Sequence, residues 1–303
     1  MKNFTFGSEL EIADIDTKLK LPEGNKWDYR DYTIVNSSGV GNDPKKEIVR
    51  WGGEINVKPT DSAEEQAEEI FKVYSSLGDK KSVNYTTNFH IHVRVPGLNN
   101  NIELLKKVAT YIFKHQESIF SITEKLEEPT RKDYDSDEAF KGAKKRFARR
   151  KVSHQNKLSE KIYNKMLLAS TPKEFYEAHA PRSKDGKLQF QLVTRCGINL
   201  MQLFNETDTI EFRHFSMSFN EEEVYSCIKW CEFITDAMIY SNKTPSQIFE
   251  ENNWMIFPKF HKYNHELQKI FNLTHFGKLS RETIMVNLLE LVGTGVIKVE
   301  DIE

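Results

Sequence analysis

The order of apolar and polar residues predicts strands and one helix in the first hundred residues. Residues 4–12 and 88–95 alternate apolar with polar side chains, which is the period of a strand with one buried face. Between them, residues 61–77 repeat apolar positions at helical spacing, and Ser62 with Glu65 has the spacing of a capping box. Residues 27–50 are rich in Asp, Asn, Ser and Gly, and we expect a hairpin and loop there.

Beyond residue 100 the pattern becomes helical, returns to strands over residues 188–215, and starts a strong helix at Asn220. Blocks of strands with helices between and after them predict an α+β fold, with an antiparallel or mixed sheet packed by helices on one face. We expect one domain spanning residues 1–303. It contains a helical insertion at about 101–185 and a helical C-terminal part at about 220–303.

Composition and charge narrow the class of protein. The 43 Lys and Arg residues nearly balance 45 Asp and Glu residues, so a general coat for nucleic acid is excluded and any basic surface is local. No stretch approaches the roughly 20 apolar residues that cross a bilayer, and the first residues lack the apolar core of a signal peptide. Three scattered cysteines favour neither a disulfide framework nor a thiolate zinc site. We therefore expect a cytoplasmic protein with no membrane contact.

Three of the predicted strands carry pairs of polar residues two positions apart. The pairs are Glu9 with Glu11, His90 with His92, and Glu211 with Arg213. Because alternate residues of a strand share a face, both members of each pair point to the same side, and their apolar neighbours point to the other. A solvated face explains any one pair, but three pairs together predict a polar sheet face with a function.

Crowded carboxylates favour a bound cation. Several carboxylates held close together cost free energy unless cations neutralise them, and a divalent metal ion is the usual solution. Glu54, which follows Gly52 and Gly53, adds a further carboxylate, although a turn with an exposed Glu explains that segment equally well. Oxygen ligands with one imidazole suit Mg²⁺ or Mn²⁺ better than zinc.

Basic residues supply the complementary half of this site. Arg195 and Asn199 precede the Glu211 strand, and Arg213 follows Glu211 by two residues. Phosphoryl transfer requires metal ions and guanidinium groups together, because the metal bridges phosphate oxygens and Arg offsets charge that grows in the transition state. A surface charge is the alternative explanation for Arg195.

Four segments together resemble motifs of the amidoligase family, relatives of glutamine synthetase and glutamate-cysteine ligase. FGSELE from Phe6 is similar to the family's FGxExE opening, and GEINVKP from Gly53 is similar to its second carboxylate motif. NFHIHV from Asn88 and TIEFRHF from Thr209 resemble the HxHV and TIEFR strands. Arg195 with Asn199 fits the RxxxN segment. The motifs occur in family order and span about three quarters of the chain.

The resemblance implies a cupped antiparallel sheet of the glutamine-synthetase type and an ATP-dependent carboxylate-amine ligase. ATP phosphorylates a carboxylate, and an amine then attacks the acyl phosphate to form an amide. The substrates are small-molecule or peptide carboxylates and amines, and the cofactors are ATP and Mg²⁺ or Mn²⁺. The implied metal ligands are Glu9, Glu11, Glu54, His90 and Glu211. The implied catalytic residues are Arg213, Arg195 and Glu54, and the implied cofactor-binding residues include His92, Arg195 and Asn199.

A basic segment extends from Lys141 to Lys165, with ten Lys and Arg residues and one acidic residue. A solvated helix face is the commonest explanation. We favour a helix that covers the site and brings Arg146 and Arg149 to ATP. Nucleic-acid binding is less favoured, since no aromatic platform is interleaved with the charges.

Two other functions remain open from the sequence. A metal-dependent phosphoesterase or nuclease could use the same His and Glu residues to activate water. A non-catalytic protein could keep the fold and bind a nucleotide or polyanion through the basic segment.

Overall fold

The computed structural model describes residues 3–13, 15, 19–28, 52–78, 81, 83, 87–123, 131, 137, 141, 157–179, 185 and 196–258. Within these residues the protein is α+β, with one open antiparallel sheet of six strands and six α-helices. No helix among them is both long enough and apolar enough to cross a membrane.

The sheet joins strands from both ends of the described chain. In sequence order they are β1 (Thr5–Ala13), β2 (Lys26–Asp28), β3 (Gly52–Thr60), β4 (Asn88–Arg94), β5 (Ile198–Asn199) and β6 (Thr209–Ser216). In space the order is β2-β3-β1-β4-β6-β5, and every neighbouring pair is antiparallel. Strands β1 and β4 therefore lie at the centre, although 74 residues of sequence separate Ala13 from Asn88.

Two of the helices begin at capping residues that the sequence indicates. Ser62 Oγ accepts a hydrogen bond from the Glu65 amide, and Asn220 Oδ1 accepts from the amides of Glu222 and Glu223. Such caps satisfy amides that the first helical turn leaves without partners. The helices are α1 (Ala63–Ser76), α2 (Ile102–Thr123), α3 (Glu160–Leu168), α4 (Pro172–His179), α5 (Glu221–Asp236) and α6 (Pro245–Glu251).

One face of the sheet forms the core with the helices. Leu10, Ile55, Ile91 and Phe212 are completely buried there, in one cluster with residues of α1, α2 and α5. Helix α1 lies against β1 and β3, α5 against β4, and α2 against β6. This burial of apolar side chains supplies the main stabilisation of the sheet and leaves its opposite face to the polar pairs.

A β-bulge in β6 lies beside the polar pairs. Phe89 pairs with Phe215 and Ile91 pairs with Phe212, so two residues of β6 oppose the single residue His90 of β4. The two residues of β6 that form the bulge are Arg213 and His214. A bulge lets neighbouring residues depart from strict alternation, and here it keeps both Phe212 and Phe215 in the core.

Within the described residues the structure confirms the strands predicted at residues 4–12 and 88–95 and the helices predicted after Ser62 and Asn220. Met201–Phe204, predicted as strand, form a 3₁₀ helix, and residues 252–258 are not helical. Gly52 and Gly53 lie within β3, paired with Ala13 and Ile12, so the turn considered for this segment is a strand. Glu54 is consequently held in the sheet and is partly buried. Most of the 27–50 loop, most of the basic segment and residues 259–303 lie outside the described residues.

Two core histidines make the folded protein sensitive to acid. Burial lowers the pKa of His179 and of His214 from 6.5 to about 4. Below pH 6.5 the unfolded chain binds protons at these positions that the folded chain does not bind, so stability is lost as the pH falls toward 4. We expect each histidine to lower the free energy of unfolding by about 2 kcal/mol between pH 7.5 and pH 5.

Urea unfolding of the wild type and of His179→Gln at both pH values checks this expectation. The variant should lose the share of the pH dependence that belongs to His179. The same pH dependence in both proteins would contradict it.

Candidate metal centre

Strand register brings the three polar pairs together. Glu9 lies directly opposite His90, and His92 lies directly opposite Glu211. Strand β3 is the other neighbour of β1, and there Glu54 lies opposite Glu11. Because residues opposite each other in a ladder point to the same face, these side chains share one surface, which we call the polar face. It comprises Glu9, Glu11, Glu54, His90, His92, Glu211 and Arg213.

Glu9, His90 and Glu211 form the first donor cluster, with one candidate ligand atom from each within 4.8 Å of the others. His90 Nδ1 lies 2.8 Å from Glu9 Oε2 and 3.9 Å from Glu211 Oε1. His90 and Glu211 are buried, whereas Glu9 is partly exposed. A ligand can therefore approach the cluster on the side of Glu9.

Glu11, Glu54 and His90 form the second donor cluster, again within 4.8 Å of one another. His90 Nε2 lies 3.7 Å from Glu11 Oε1, so the His90 ring stands between the two clusters. A neutral imidazole has one lone pair and one N–H. His90 can therefore serve as a ligand in only one cluster at a time, and the second cluster otherwise offers carboxylate oxygens.

Polar partners hold both buried carboxylates in place. Glu11 Oε2 accepts hydrogen bonds from the backbone amide of Asn88 at 2.8 Å and from its side-chain amide at 2.6 Å. Glu211 Oε2 accepts from Asn199 Nδ2 at 2.6 Å, and Glu211 Oε1 accepts from the Arg213 guanidinium. These bonds fix the carboxylates before any ligand binds, which lowers the cost of ordering a site.

The charges on the polar face perturb one another strongly. Burial raises the pKa of Glu9, but the charges of His92 and His90 and the hydrogen bond with His90 outweigh it and hold that pKa well below the ordinary range. Burial lowers the pKa of His92, but Glu9 and Glu211 outweigh it and raise that pKa above its usual value. Burial likewise opposes the charge on Arg213, yet Glu211, Glu9 and Glu11 raise its pKa. Positive charge is thus favoured at this point of the sheet.

The residues present fit a divalent cation. Carboxylate oxygens with imidazole nitrogen are the donors that Mn²⁺ and Mg²⁺ sites use in proteins. His92 Nε2 is buried and makes no hydrogen bond within the described part of the chain. It lies 3.2 Å from Glu9 Oε1 and 4.0 Å from Glu211 Oε1, so it faces the first cluster. A buried nitrogen without a hydrogen bond costs free energy unless a ligand satisfies it.

The structure brings together Glu9, Glu11, Glu54, His90, His92, Glu211 and Arg213 from the set predicted by sequence. Asn199 supports Glu211 from the neighbouring strand β5. It is fully buried, its Nδ2 donates to Glu211 and its Oδ1 accepts from the Met201 amide at 2.9 Å. Its contact with a nucleotide stays a prediction. Arg195, Arg146 and Arg149 lie outside the described residues.

Three further residues of the site were not predicted. Asn88 supports Glu11, and Thr209 Oγ1 lies 2.9 Å from His92 Nδ1. Each stands two positions before a predicted residue of its own strand, so extending the alternation would have found both. Asp28 pairs with Glu54 across β2 and β3, and only the strand register places it there.

No protein-family model, no curated protein and no solved structure matches this chain.

Proposed function

We propose that this protein is an ATP-dependent carboxylate-amine ligase of the amidoligase type, with a divalent cation on the polar face. The observation that carries the proposal is the meeting of Glu9, His90 and Glu211, from three strands, with donor atoms within 4.8 Å of one another. The glutamine-synthetase type of sheet is part of the same proposal. The open antiparallel sheet, covered by helices on its apolar side, is compatible with it.

The proposed reaction has two steps. The γ-phosphoryl group of ATP is transferred to an oxygen of the substrate carboxylate, which produces ADP and an acyl phosphate. The amine then attacks the acyl carbon, the C–O bond to phosphate breaks, and the amine loses a proton as the amide forms. A cation held by Glu9, His90 and Glu211 would neutralise charge on the phosphate oxygens.

Residues of the polar face have separate parts in this reaction. Glu9, His90 and Glu211 hold the cation, while Glu11 and Glu54 offer an oxygen-rich position beside it. Arg213 is partly exposed and already contacts Glu211, so its guanidinium lies at the border between the cluster and solvent. From there it offsets negative charge as the phosphoryl group moves.

Cys196, the cysteine on which the charge of Arg213 acts, does not suit covalent catalysis. Burial raises the pKa of Cys196 to about 11, even though the charge of Arg213 acts in the opposite direction. A thiol with that pKa is protonated at neutral pH and is a weak nucleophile. Direct transfer between two bound substrates therefore agrees with the site better than a cysteine thioester does.

A trapping experiment tests the proposal without knowledge of the amine. The protein is incubated with ATP, Mn²⁺ or Mg²⁺, hydroxylamine and pooled carboxylates, including amino acids and peptides. Hydroxylamine converts an acyl phosphate into a hydroxamate, and we expect hydroxamate and ADP to form in equal amounts. Repeating the reaction with an ¹⁸O-labelled carboxylate should place one ¹⁸O atom in the released phosphate.

The natural amine is then found by mass spectrometry. A pool of amines replaces hydroxylamine, and the expected product is lighter by one water than its combined parents. Cleavage of phosphoesters that needs the cation but no ATP would instead indicate a phosphoesterase. Inertness in both assays would remove the enzymatic proposal.

A further inference from the structure

His92 occupies an unusual position for a residue expected beside a nucleotide. It is 7% exposed, and its Nε2 atom faces Glu9 Oε1 at 3.2 Å and Glu211 Oε1 at 4.0 Å. Both of these carboxylates belong to the first donor cluster. Among the described residues no hydrogen bond satisfies this nitrogen. When the ring is protonated this nitrogen pairs with Glu9, and when the ring is neutral only a cation between them satisfies both groups.

Thr209 contacts the nitrogen of His92 that is not directed at the carboxylates. Its hydroxyl lies 2.9 Å from His92 Nδ1 and 3.4 Å from Thr207 Oγ1. With the Thr209 hydroxyl donating to Thr207, its oxygen accepts from His92 Nδ1, which then carries the hydrogen of the neutral ring. The Nε2 lone pair then points at the first cluster. Histidine ligands of metals are commonly oriented by such a bond to the other ring nitrogen.

The distances between donor atoms suit a single ion. Glu9 Oε2 lies 2.8 Å from His90 Nδ1, and Glu9 Oε1 lies 3.2 Å from His92 Nε2. Glu211 Oε1 lies 3.9 Å from His90 Nδ1 and 4.0 Å from His92 Nε2. Donors bound at about 2.0–2.2 Å from one ion lie roughly 3 to 3.6 Å apart. The four groups thus need only small movements to share a cation.

We propose that His92 is a second imidazole ligand of the cation held by Glu9, His90 and Glu211, and that this donor set selects Mn²⁺ over Mg²⁺. The inference rests on the cation site of the proposed function and departs from its expectation of a nucleotide contact for His92. Two nitrogen and two oxygen donors favour first-row transition metals, whereas Mg²⁺ prefers oxygen alone. Thr209 is a positioning residue that acts through His92.

Pulsed electron paramagnetic resonance of Mn²⁺ bound to the full-length protein tests this directly. Protein containing ¹⁵N-labelled histidine is loaded with Mn²⁺ alone, without nucleotide, and the nitrogen couplings are counted. We expect two imidazole nitrogens in the wild type and one in His92→Asn. The Asn side-chain nitrogen replaces Nδ1 and keeps the bond to Thr209, so this variant removes the Nε2 ligand with little other change.

Affinity measurements give an independent readout. Mn²⁺ should bind the wild type more tightly than Mg²⁺ in a competition titration. His92→Asn should weaken Mn²⁺ binding about 10- to 100-fold and change Mg²⁺ binding far less. Thr209→Val should weaken Mn²⁺ binding about 10-fold through loss of orientation. His115→Gln, on helix α2, is the control and should match the wild type.

The outcomes separate this inference from the proposed function. A wild-type spectrum with a single imidazole overturns the role of His92 and leaves a cation site of Glu9, His90 and Glu211. A wild type that binds no Mn²⁺ overturns both. The wild-type spectrum is decisive even where a variant fails to fold.

Discussion

Glu211→Gln is expected to lose nearly all cation binding and, with it, turnover. Glu211 contributes an oxygen to the first cluster and is completely buried, and a Gln side chain supplies no charged oxygen in its place. Loss of this charged ligand should weaken Mn²⁺ binding by roughly a hundredfold or more. Titration calorimetry with Mn²⁺ and the hydroxamate assay measure the two losses.

The two side chains that donate to Glu211 make a second variant necessary. Asn199 and Arg213 both donate to the carboxylate, and a Gln amide offers only one acceptor oxygen. We therefore expect Glu211→Gln also to lower stability, by about 1–3 kcal/mol. Glu9→Gln should lose less stability than Glu211→Gln, because Glu9 is partly exposed. It should also lose Mn²⁺ binding. Glu64→Gln, an exposed carboxylate paired with Lys229, is the control. Wild-type Mn²⁺ affinity in both site variants would end the cation proposal.

Arg213→Met is expected to change cation binding and turnover in opposite directions. The guanidinium contacts Glu211 Oε1, the same oxygen that faces His90 and His92, so it competes with a cation for that oxygen. Without it, Mn²⁺ should bind more tightly. Turnover should nevertheless fall about 10³-fold, because the arginine acts on charge that grows in the transition state.

Steady-state kinetics and calorimetry on the same preparation separate these effects. The loss should appear in kcat, with the KM for ATP nearly unchanged. Arg94→Met is the matched control, since Arg94 is largely exposed at the end of β4 and pairs with Asp208 at 3.2 Å. A change confined to the KM for ATP would show that Arg213 binds the ground state and the transition state equally, and would contradict its proposed role.

The local pattern of the chain predicted which side chains share a face. The alternation in residues 4–12 and 88–95 required only that a strand has a period of two, and the structure confirms it. Helix starts at Ser62 and Asn220 were equally local, because a capping side chain bonds to amides within three residues. These features depend on neighbours in sequence, so the sequence contains them.

Contacts between strands could not be predicted in the same way. The pairing of His92 with Glu211 depends on how β4 and β6 align, and a bulge at Arg213 and His214 shifts that alignment by one residue. A shift of one residue would turn a strand's side chains to the other face. Asp28 joins Glu54 on the polar face for the same reason, through the register of β2 against β3.

The amino-acid order alone established an α+β chain with carboxylates, imidazoles and a guanidinium on one side of its strands. Only the folded sheet determined that Glu9, His90 and Glu211 meet, that Asn199 donates a hydrogen bond to Glu211, and that His92 faces the first cluster. The physical reason is the separation in sequence between the residues that interact. Strand period and helix caps arise from bonds between near neighbours, whereas the cluster arises from ladders between segments far apart in the chain, whose alignment depends on how the whole apolar face packs.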